Sequence, residues 1–325
     1  MRAFVTGGAG FAGSHLVEYL LGQGHEVSVL AHPDEPLVNL SSVRPHVQIE
    51  RADIRDGKRL FQILNDLKPQ RLFHLAAVSS PTESLRNPRL TYEVNFVGTL
   101  ELLLAWREIG MDCRLLYVSS AEVYGTSGSK NLPLREDCAL RPANPYAASK
   151  AAAELLAFQF FESDGFPIVR VRPFNHTGPR QSSAFVCSSF ARQVVEAEAG
   201  LRPPRVSVGD LKVRRDFSDV RDIVRGYYLL MENGEPGEVY HLCSGRAVLI
   251  ETVLKTLLGW ATKPIQVDVD EHMLRGGEPS AVQGDLTKTK QTIGWEPKYD
   301  LEATLRDLKV YWESMLRSRQ LEAPA

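Results

Sequence analysis

Through the first half of the chain, short apolar runs alternate with segments whose apolar residues recur every three or four positions. That is the pattern of strands alternating with amphipathic helices. Residues 3–6, 26–30 (EVSVL), 47–51, 71–75 (RLFHL), 114–118 (RLLYV) and 168–171 read as strands. Helical stretches fall at 11–21, 95–109 and 145–161, and between the third and fourth strands Leu60, Ile63, Leu64 and Leu67 make one apolar stripe. Strand–helix alternation requires crossovers between parallel strands, and such a sheet is covered by helices on both faces. The pattern predicts an α/β fold with a doubly wound parallel sheet, the Rossmann architecture.

After Pro173 the rhythm changes. Pro-, Gly- and Ser-rich loops (178–183, Pro203, Pro204) separate helices from short strands, and then 219–231 reads as helix and 238–242 (EVYHL) as one more buried strand. This last pair is expected to rejoin the first sheet. The expected organisation is therefore residues 1–175 plus 219–245 in one domain. Residues 176–218 plus 246–325 then form a smaller, discontinuous α/β domain.

Composition narrows the function classes. The chain has 325 residues, 43% of them hydrophobic and 24% charged, so it can bury a large core without disulfide or metal staples. Thirty-eight basic and 40 acidic residues leave a formal charge of -2, which gives no electrostatic footprint for nucleic acid or an anionic membrane. Lys212, Arg214 and Arg215 do cluster, but Asp216 and Asp219 follow at once. No apolar run approaches membrane-spanning length, and the N-terminus leads directly into a strand. The cysteines, Cys113, Cys138, Cys187 and Cys243, are scattered without CxxC spacing, so no metal site is expected and a reduced, cytoplasmic protein is.

Two motifs carry chemistry. Gly7, Gly10 and Gly13 form a GxxGxxG array between the first strand and first helix. There glycines permit a tight turn, approach to a pyrophosphate and close helix–strand packing, while the helix N-terminus offers N–H donors. That context makes it a dinucleotide site. An NAD site usually places an acid at the end of the second strand, but here the chain reads Ala31, His32, Pro33, Asp34. His32 could face a 2′-phosphate, so NADP is the expected cofactor, with NAD as the alternative. Asp53 and Ile54 follow the third strand where the adenine would lie, and Ala76 and Ala77 follow the fourth, where side chains must be small.

Tyr146 and Lys150 form YxxxK on a helix opened by Pro145, and at i and i+4 they share a face. An ammonium beside a phenol favours phenolate, so the pair predicts a Tyr146 pKa below its usual value of about 10. Ser120 ends the fifth strand 26 residues earlier, at the edge where open α/β sheets bind ligands. Ser120 would orient a reacting oxygen and Tyr146 would exchange its proton. His176, with no partner in view, reads as a packed or capping residue.

These features, with TGGAGFAG (6–13), HLAA (74–77), VNFVGT (94–99), YVSSAEVYG (117–125) and PYAASK (145–150), resemble the extended short-chain dehydrogenases/reductases that act on nucleotide sugars. The likeness covers nearly the whole chain. RPFNHTGPRQ (172–181), FARQVVEAEAGL (190–201), RRDFSDVRDIVRGYYLL (214–230) and GEVYHLCSGRA (237–247) are most similar to the members that handle GDP-linked 6-deoxy sugars. The resemblance implies NAD(P)H-dependent reduction of the C4 ketone of a GDP-4-keto-6-deoxyhexose, with 4,6-dehydration of GDP-mannose or 4-epimerisation as alternatives. It implies Ser120, Tyr146 and Lys150 as catalytic residues. Glu122 stands where dehydratases keep a base and equally reads as a loop carboxylate. The cofactor would rest on Gly7, Gly10, Phe11, Ala12, Gly13, His32, Asp53, Ile54, Ala76, Ala77, Tyr146, Lys150 and Pro173. The sugar nucleotide would meet Ser79, Ser80, Asn175, Arg215 and Arg275. Gly276 and Gly277 depart from the Arg-Pro-x-Glu pattern of relatives at Arg275, and Asp210 replaces their usual asparagine. Related enzymes pair the helices near 95–109 and 145–162 into a homodimeric bundle.

Overall fold

A computed structural model of the chain describes residues 1–129, 132–273 and 279–322. The apolar runs of the first half become β1 (Arg2–Thr6), β2 (Glu26–Ala31), β3 (Val47–Arg51), β4 (Arg71–His74), β5 (Arg114–Val118) and β6 (Ile168–Pro173). β7 (Asn175–Thr177), β8 (Arg205–Val208) and β9 (Arg214–Asp219) follow, and then β10 (Val239–Leu242) returns to pair with β6. The seven strands β3-β2-β1-β4-β5-β6-β10 make one sheet, every pair parallel. This is the expected Rossmann architecture. Two residues after the last strand of the first half, β7 joins β9 and β11 (Ala247–Leu249) in a second sheet, while β8 pairs with β12 (Gln266–Val269).

The strand period of two divides the sheet's apolar residues between its faces. Val5, Val29 and Val171 pack with Leu16 and Leu20 of α1 (Phe11–Gly22) on one side. Phe4, Leu72 and Leu115 face the other side, against Leu64 of α2 (Gly57–Leu67). The crossover from β4 to β5 holds α3 (Pro81–Arg86), α4 (Pro88–Tyr92) and α5 (Gly98–Ile109), with a π-helical turn over Glu93–Val97 between the last two. The helical stretch read as starting at 95 thus begins at Pro88. α6 (Pro145–Asp164) starts as its sequence predicts, with Pro145 at its first position and Asn144 accepting the Ala147 N–H at 2.8 Å. It ends on Gly165 at φ 68°, the left-handed cap that glycine favours.

A third core forms apart from the sheet. Phe190 and Val194 of α7 (Val186–Glu198), Val253 and Leu257 of α9 (Ile250–Gly259) and Leu308 of α11 (Leu301–Glu322) close around Val206 and Val208 of β8. Between these, α8 (Val220–Asn233) covers the sheet, with Ile223, Tyr227 and Leu230 in the first core, and α10 (Thr287–Ile293) leads to Trp295 in the same core.

One buried carboxylate staples α8 to the segment before α11. Asp222 is fully buried; its carboxylate accepts the Lys298 and Tyr299 N–H groups at 2.8 and 2.9 Å and a hydrogen bond from Arg225. Trp295 donates to its carbonyl at 2.9 Å. Removing the carboxylate takes the acceptor from the Lys298 and Tyr299 N–H groups, while Arg225 keeps the Glu296 carbonyl; each donor left unpaired costs about 1–3 kcal/mol where water cannot replace the bond. Asp222→Ala should lower unfolding free energy by roughly 2–4 kcal/mol in a urea titration. A loss below about 0.5 kcal/mol would show the staple to be dispensable.

Candidate active site

The ligand-sized space lies along the C-terminal edge of the sheet, in a cleft of about 1510 Å³. A single small-ligand site runs to roughly 300–1,000 Å³, so this cleft has room for two ligands. Gly7, Gly10, Phe11, Ala12 and Gly13 line one end. Gly7 turns with φ +70°, and a Cβ there would stand 2.8 Å from the Ala76 nitrogen. A Cβ on Gly13 would stand 2.1 Å from the Gly7 carbonyl oxygen, so α1 can meet β1 this closely only without side chains. The α1 N-terminus has no side-chain cap and no acid in its first turn, leaving its N–H donors for a ligand anion. This cradle fits the pyrophosphate of a dinucleotide.

Near this turn, His32, Asp53 and Ile54 all line the cleft. His32 is half exposed and 3.6 Å from Asp53. Asp53 is clamped by Arg55 at 2.6 Å, which holds its carboxyl below the usual range. Arg51 donates to the carbonyls of His32, Pro33 and Glu35, fixing the turn after β2. Glu35 also lines the cleft, beside Gly10, and its burial raises its pKa. Glu35 and Arg55 were not singled out from the sequence, because only the fold brings them to the Gly-rich turn.

Ala76 and Ala77 line the cleft, as their small size requires. Their loop is set by a buried chain of hydrogen bonds. Thr99 donates to the Asn95 carbonyl and so accepts from His74 Nε2 at 2.9 Å, leaving His74 Nδ1 to accept from Thr6 at 2.7 Å. Thr6 in turn accepts the Leu75 and Ala76 N–H groups. Burial lowers the His74 pKa to about 3, so the ring stays neutral in this role. Asn95, in the π-helical turn, bonds both the N–H and the carbonyl of Val78 and donates to Ser149 on α6. The sequence marked VNFVGT as a family segment without giving Asn95 a task.

Ser120, Glu122, Tyr146 and Lys150 line the cleft together. Ser120, just past β5, is hydrogen-bonded to Tyr146 and accepts the Glu122 N–H at 3.1 Å. Lys150, 3% exposed, donates to the Val118 carbonyl at 2.6 Å, with its ammonium 5.3 Å from the Tyr117 ring centre. Burial lowers its pKa to about 8, against the opposing pull of Glu154. The expectation of a depressed tyrosine pKa is corrected. Burial pushes Tyr146 up to about 12, the Ser120 hydrogen bond opposes this only in part, and the nearby Glu122 charge adds to the rise. The Lys150 ammonium is held on the backbone of β5, and desolvation governs the phenol.

At the far end, Ser79, Ser80, Pro173, Asn175, Asp210 and Arg215 line the cleft. Ser80 accepts the Glu83 N–H and so caps α3. Asn175 stands on β7, opposite Phe217 of β9. Arg215, 9% exposed, donates to the carbonyls of Arg214 and Pro279. Asp210 closes a turn by accepting the Lys212 N–H at 2.8 Å. Arg275 lies outside the described residues. His176 donates through Nδ1 to the Phe174 carbonyl and stacks on Phe11 at 5.8 Å, a packed role. Its neighbour Arg180 bonds Glu18 and the Asn39 carbonyl, and its Nη2 lies 3.3 Å from His15 Nδ1. His15 Nε2 therefore donates to the Pro179 carbonyl at 2.9 Å, tying this segment to α1.

Comparison with known proteins agrees with this layout. The sequence profile of the GDP-mannose 4,6 dehydratase family matches residues 4–308. The chain is 36% identical to the GDP-6-deoxy-D-mannose reductase of Pseudomonas aeruginosa, over 97% of its own length and 98% of the relative's. It is 28% identical to human GDP-mannose 4,6 dehydratase, over 94% and 90% of the two chains. Among solved structures, RMD from Pseudomonas aeruginosa complexed with NADPH superposes with a TM-score of 0.84 at 35% identity, covering 97% of this chain and 99% of that one. UDP-glucose 4-epimerase from Thermotoga maritima, with UDP-glucose, gives 0.87 at 30% identity over 97% and 100%. Among the described residues no His, Cys, Asp and Glu cluster could hold a metal, and no helix is long and apolar enough to cross a membrane.

The Gly13 contact offers a direct check. Gly13→Ala must move the Gly7–Gly13 turn, because the obstructing atoms are backbone. Affinity for NADPH, followed by fluorescence titration, should fall at least about tenfold, equivalent to about 1.4 kcal/mol, with the far-UV CD spectrum retained. Unchanged affinity would mean that the dinucleotide does not use this turn.

Proposed function

Because the chain belongs to the GDP-mannose 4,6 dehydratase family of extended short-chain dehydrogenases/reductases, we propose that it reduces the C4 ketone of a GDP-4-keto-6-deoxyhexose, using NADPH ahead of NADH. Tyr146, buried and hydrogen-bonded to Ser120, is placed as the proton donor of that reduction. A ketone reduction needs a proton donor at that point, whereas dehydration and epimerisation begin by removing a proton from the C4 hydroxyl. The identity to a GDP-6-deoxy-D-mannose reductase over both full lengths supports the same choice.

The nicotinamide dinucleotide, when bound, supplies the hydride for C4. The Gly7–Gly13 turn would hold its pyrophosphate, and His32, Asp53 and Ile54 its adenosine. Ala76, Ala77 and Pro173 would leave room for the rest of it, and Lys150 would bond its nicotinamide ribose. Ser120 orients the ketone oxygen, and Tyr146 donates its proton to the oxygen as negative charge develops there. Asn175, Arg215 and, outside the described residues, Arg275 hold the diphosphate, while Ser79 and Ser80 border the sugar. Most of the acceleration comes from orientation and from donors aimed at the developing alkoxide. Residues 1–175 plus 219–245 would serve as the dinucleotide-binding domain and the remainder as the sugar-nucleotide domain.

The proposal includes a cytoplasmic homodimer. Leu90, Tyr92, Val97 and Leu155 leave 38%, 41%, 36% and 58% of their surfaces exposed on α4, the π-helical turn and α6, an apolar patch suited to a second copy. Leu155→Glu should convert a dimer to a monomer in light scattering behind gel filtration. A wild-type protein monomeric at micromolar concentration would contradict the pairing.

Tyr146→Phe keeps the ring and removes the donor. Its kcat should fall by roughly 10²–10⁴-fold in NADPH oxidation followed at 340 nm with the 4-keto-6-deoxy substrate, while NADPH still binds. Consumption of GDP-mannose without added NADPH would identify a dehydratase working through Glu122 instead.

A further inference from the structure

Behind the reacting residues lies a buried charge cluster to which the mechanism above gives no task. Glu154 follows Lys150 by one turn of α6 and is 1% exposed. Both its oxygens are taken by Arg172 of β6: Nε lies 3.1 and 3.0 Å from them and Nη2 2.6 Å from Oε1. Arg170, on the same strand, reaches to 3.7 Å. Arg172 also donates to the Tyr124 hydroxyl and to the Glu136 carbonyl. His241 of β10 donates through Nδ1 to the Asp285 carbonyl at 3.2 Å, so its Nε2 accepts from Tyr124. Four pieces of the molecule thus meet at one ion pair: α6, which carries Tyr146 and Lys150; β6, which ends in Pro173; the segment following Ser120; and β10.

A buried ion pair seldom adds net stability, because desolvation offsets the attraction, so its presence invites a role other than stability. We propose that Glu154 is a positioning residue, whose pairing with Arg172 seats α6 against β6 and which supplies the countercharge for Lys150. The inference rests on the reductase reading only for Lys150's task.

The groups facing Lys150 allow this assignment. From β5 come only the Val118 carbonyl and the Tyr117 ring. From β4 comes His74, whose neutral ring compensates no charge. Tyr146 on its own helix is protonated, and Glu122 stands on the Tyr146 side. Arg170 and Arg172 of β6 reach Glu154 at 3.7 and 2.6 Å and so share its charge with Lys150. Burial alone drives the Lys150 pKa down, and Glu154 is the charge that opposes the fall to about 8.

The sign of the test follows. Above its pKa Lys150 is neutral, so kcat and NADPH affinity should both decline as pH rises through about 8. Glu154→Gln removes the countercharge and keeps the shape. It should move that basic limb down by about one pH unit in both measurements, as expected for one charge lost in a partly screened interior. Arg172→Gln leaves Glu154 less compensated and should move the limb up by about half a unit. Glu154→Asp keeps the charge and should keep the limb. Shifts of opposite sign support the proposal; activity lost at every pH with the limb unmoved, or both variants shifting the same way, would overturn it. If Glu154→Gln does not fold, the direction for Arg172→Gln decides by itself. The NADPH-affinity profile needs no turnover, so failure of the reductase reading, seen as no wild-type activity on the ketone, is distinguishable from failure of this one.

Discussion

The hydrogen bond from the Lys150 ammonium to the Val118 carbonyl is the contact on which the site's geometry depends. A parallel strand that ends inside a protein leaves its last carbonyls without ladder partners, and an unpaired buried carbonyl is costly. Lysine solves this for β5 at 2.6 Å, and in doing so pins the first turns of α6 to the end of that strand. Ser120 is two residues past Val118, and Tyr146 is one turn before Lys150. The spacing between the Ser120 hydroxyl and the Tyr146 phenol is therefore set by this one contact between strand and helix. The same solution recurs along the edge: Thr6 receives the N–H groups after β4, and Asn95 receives both polar groups of Val78. The residues that shape the cleft are largely those that satisfy the strand ends.

That economy explains what could be read in advance. The strands, the helices and the order in which they alternate follow from apolar spacing, and all six strands read in the first half appear in the sheet. The positions of the GxxGxxG turn after β1 and of YxxxK on the first turns of α6 were legible because local spacing locates them. Asn95, Glu35, Arg180 and Glu154 were not. Asn95, Arg180 and Glu154 act through partners elsewhere in the chain, Ser149, Glu18 and Arg172, and Glu35 meets the Gly-rich turn only through the fold; periodicity reports which face a residue occupies without reporting what it meets there. The helix start at Pro88 shows the same limit, since the π-helical turn that aims Asn95 at α6 has no periodic signal of its own.

The Tyr146 correction has a physical lesson. A YxxxK spacing puts an ammonium near a phenol, and near charge alone the phenolate is favoured. The fold adds what spacing omits: burial of the ring, a lysine ammonium drawn to the Val118 carbonyl, and an acidic neighbour in Glu122. In such surroundings desolvation dominates and the neutral phenol is retained. A ketone reduction that drew its proton from Tyr146, as proposed, would start from that neutral phenol.

The segment from Phe174 to Gln181 must do two things at once, since it carries Asn175 into the cleft and runs from the large sheet to the elements around the third core. Its attachment to α1 is correspondingly rigid. Arg180 adopts φ +73°, a left-handed conformation that costs a non-glycine residue on the order of 1–3 kcal/mol unless its surroundings enforce it. Here they do, through its bonds to Glu18, the Asn39 carbonyl and His15, while Asn39 also donates to the Ala9 carbonyl within the Gly-rich turn. The turn that would hold the dinucleotide and the segment that would hold the sugar nucleotide are thereby parts of one braced structure. Transfer between two separately bound ligands is unforgiving of slack, with about 1 Å of misplacement worth on the order of a hundredfold in rate. Strain accepted at a single arginine is small beside that loss, and this is a physical reason for the brace to stand between the two halves of the cleft.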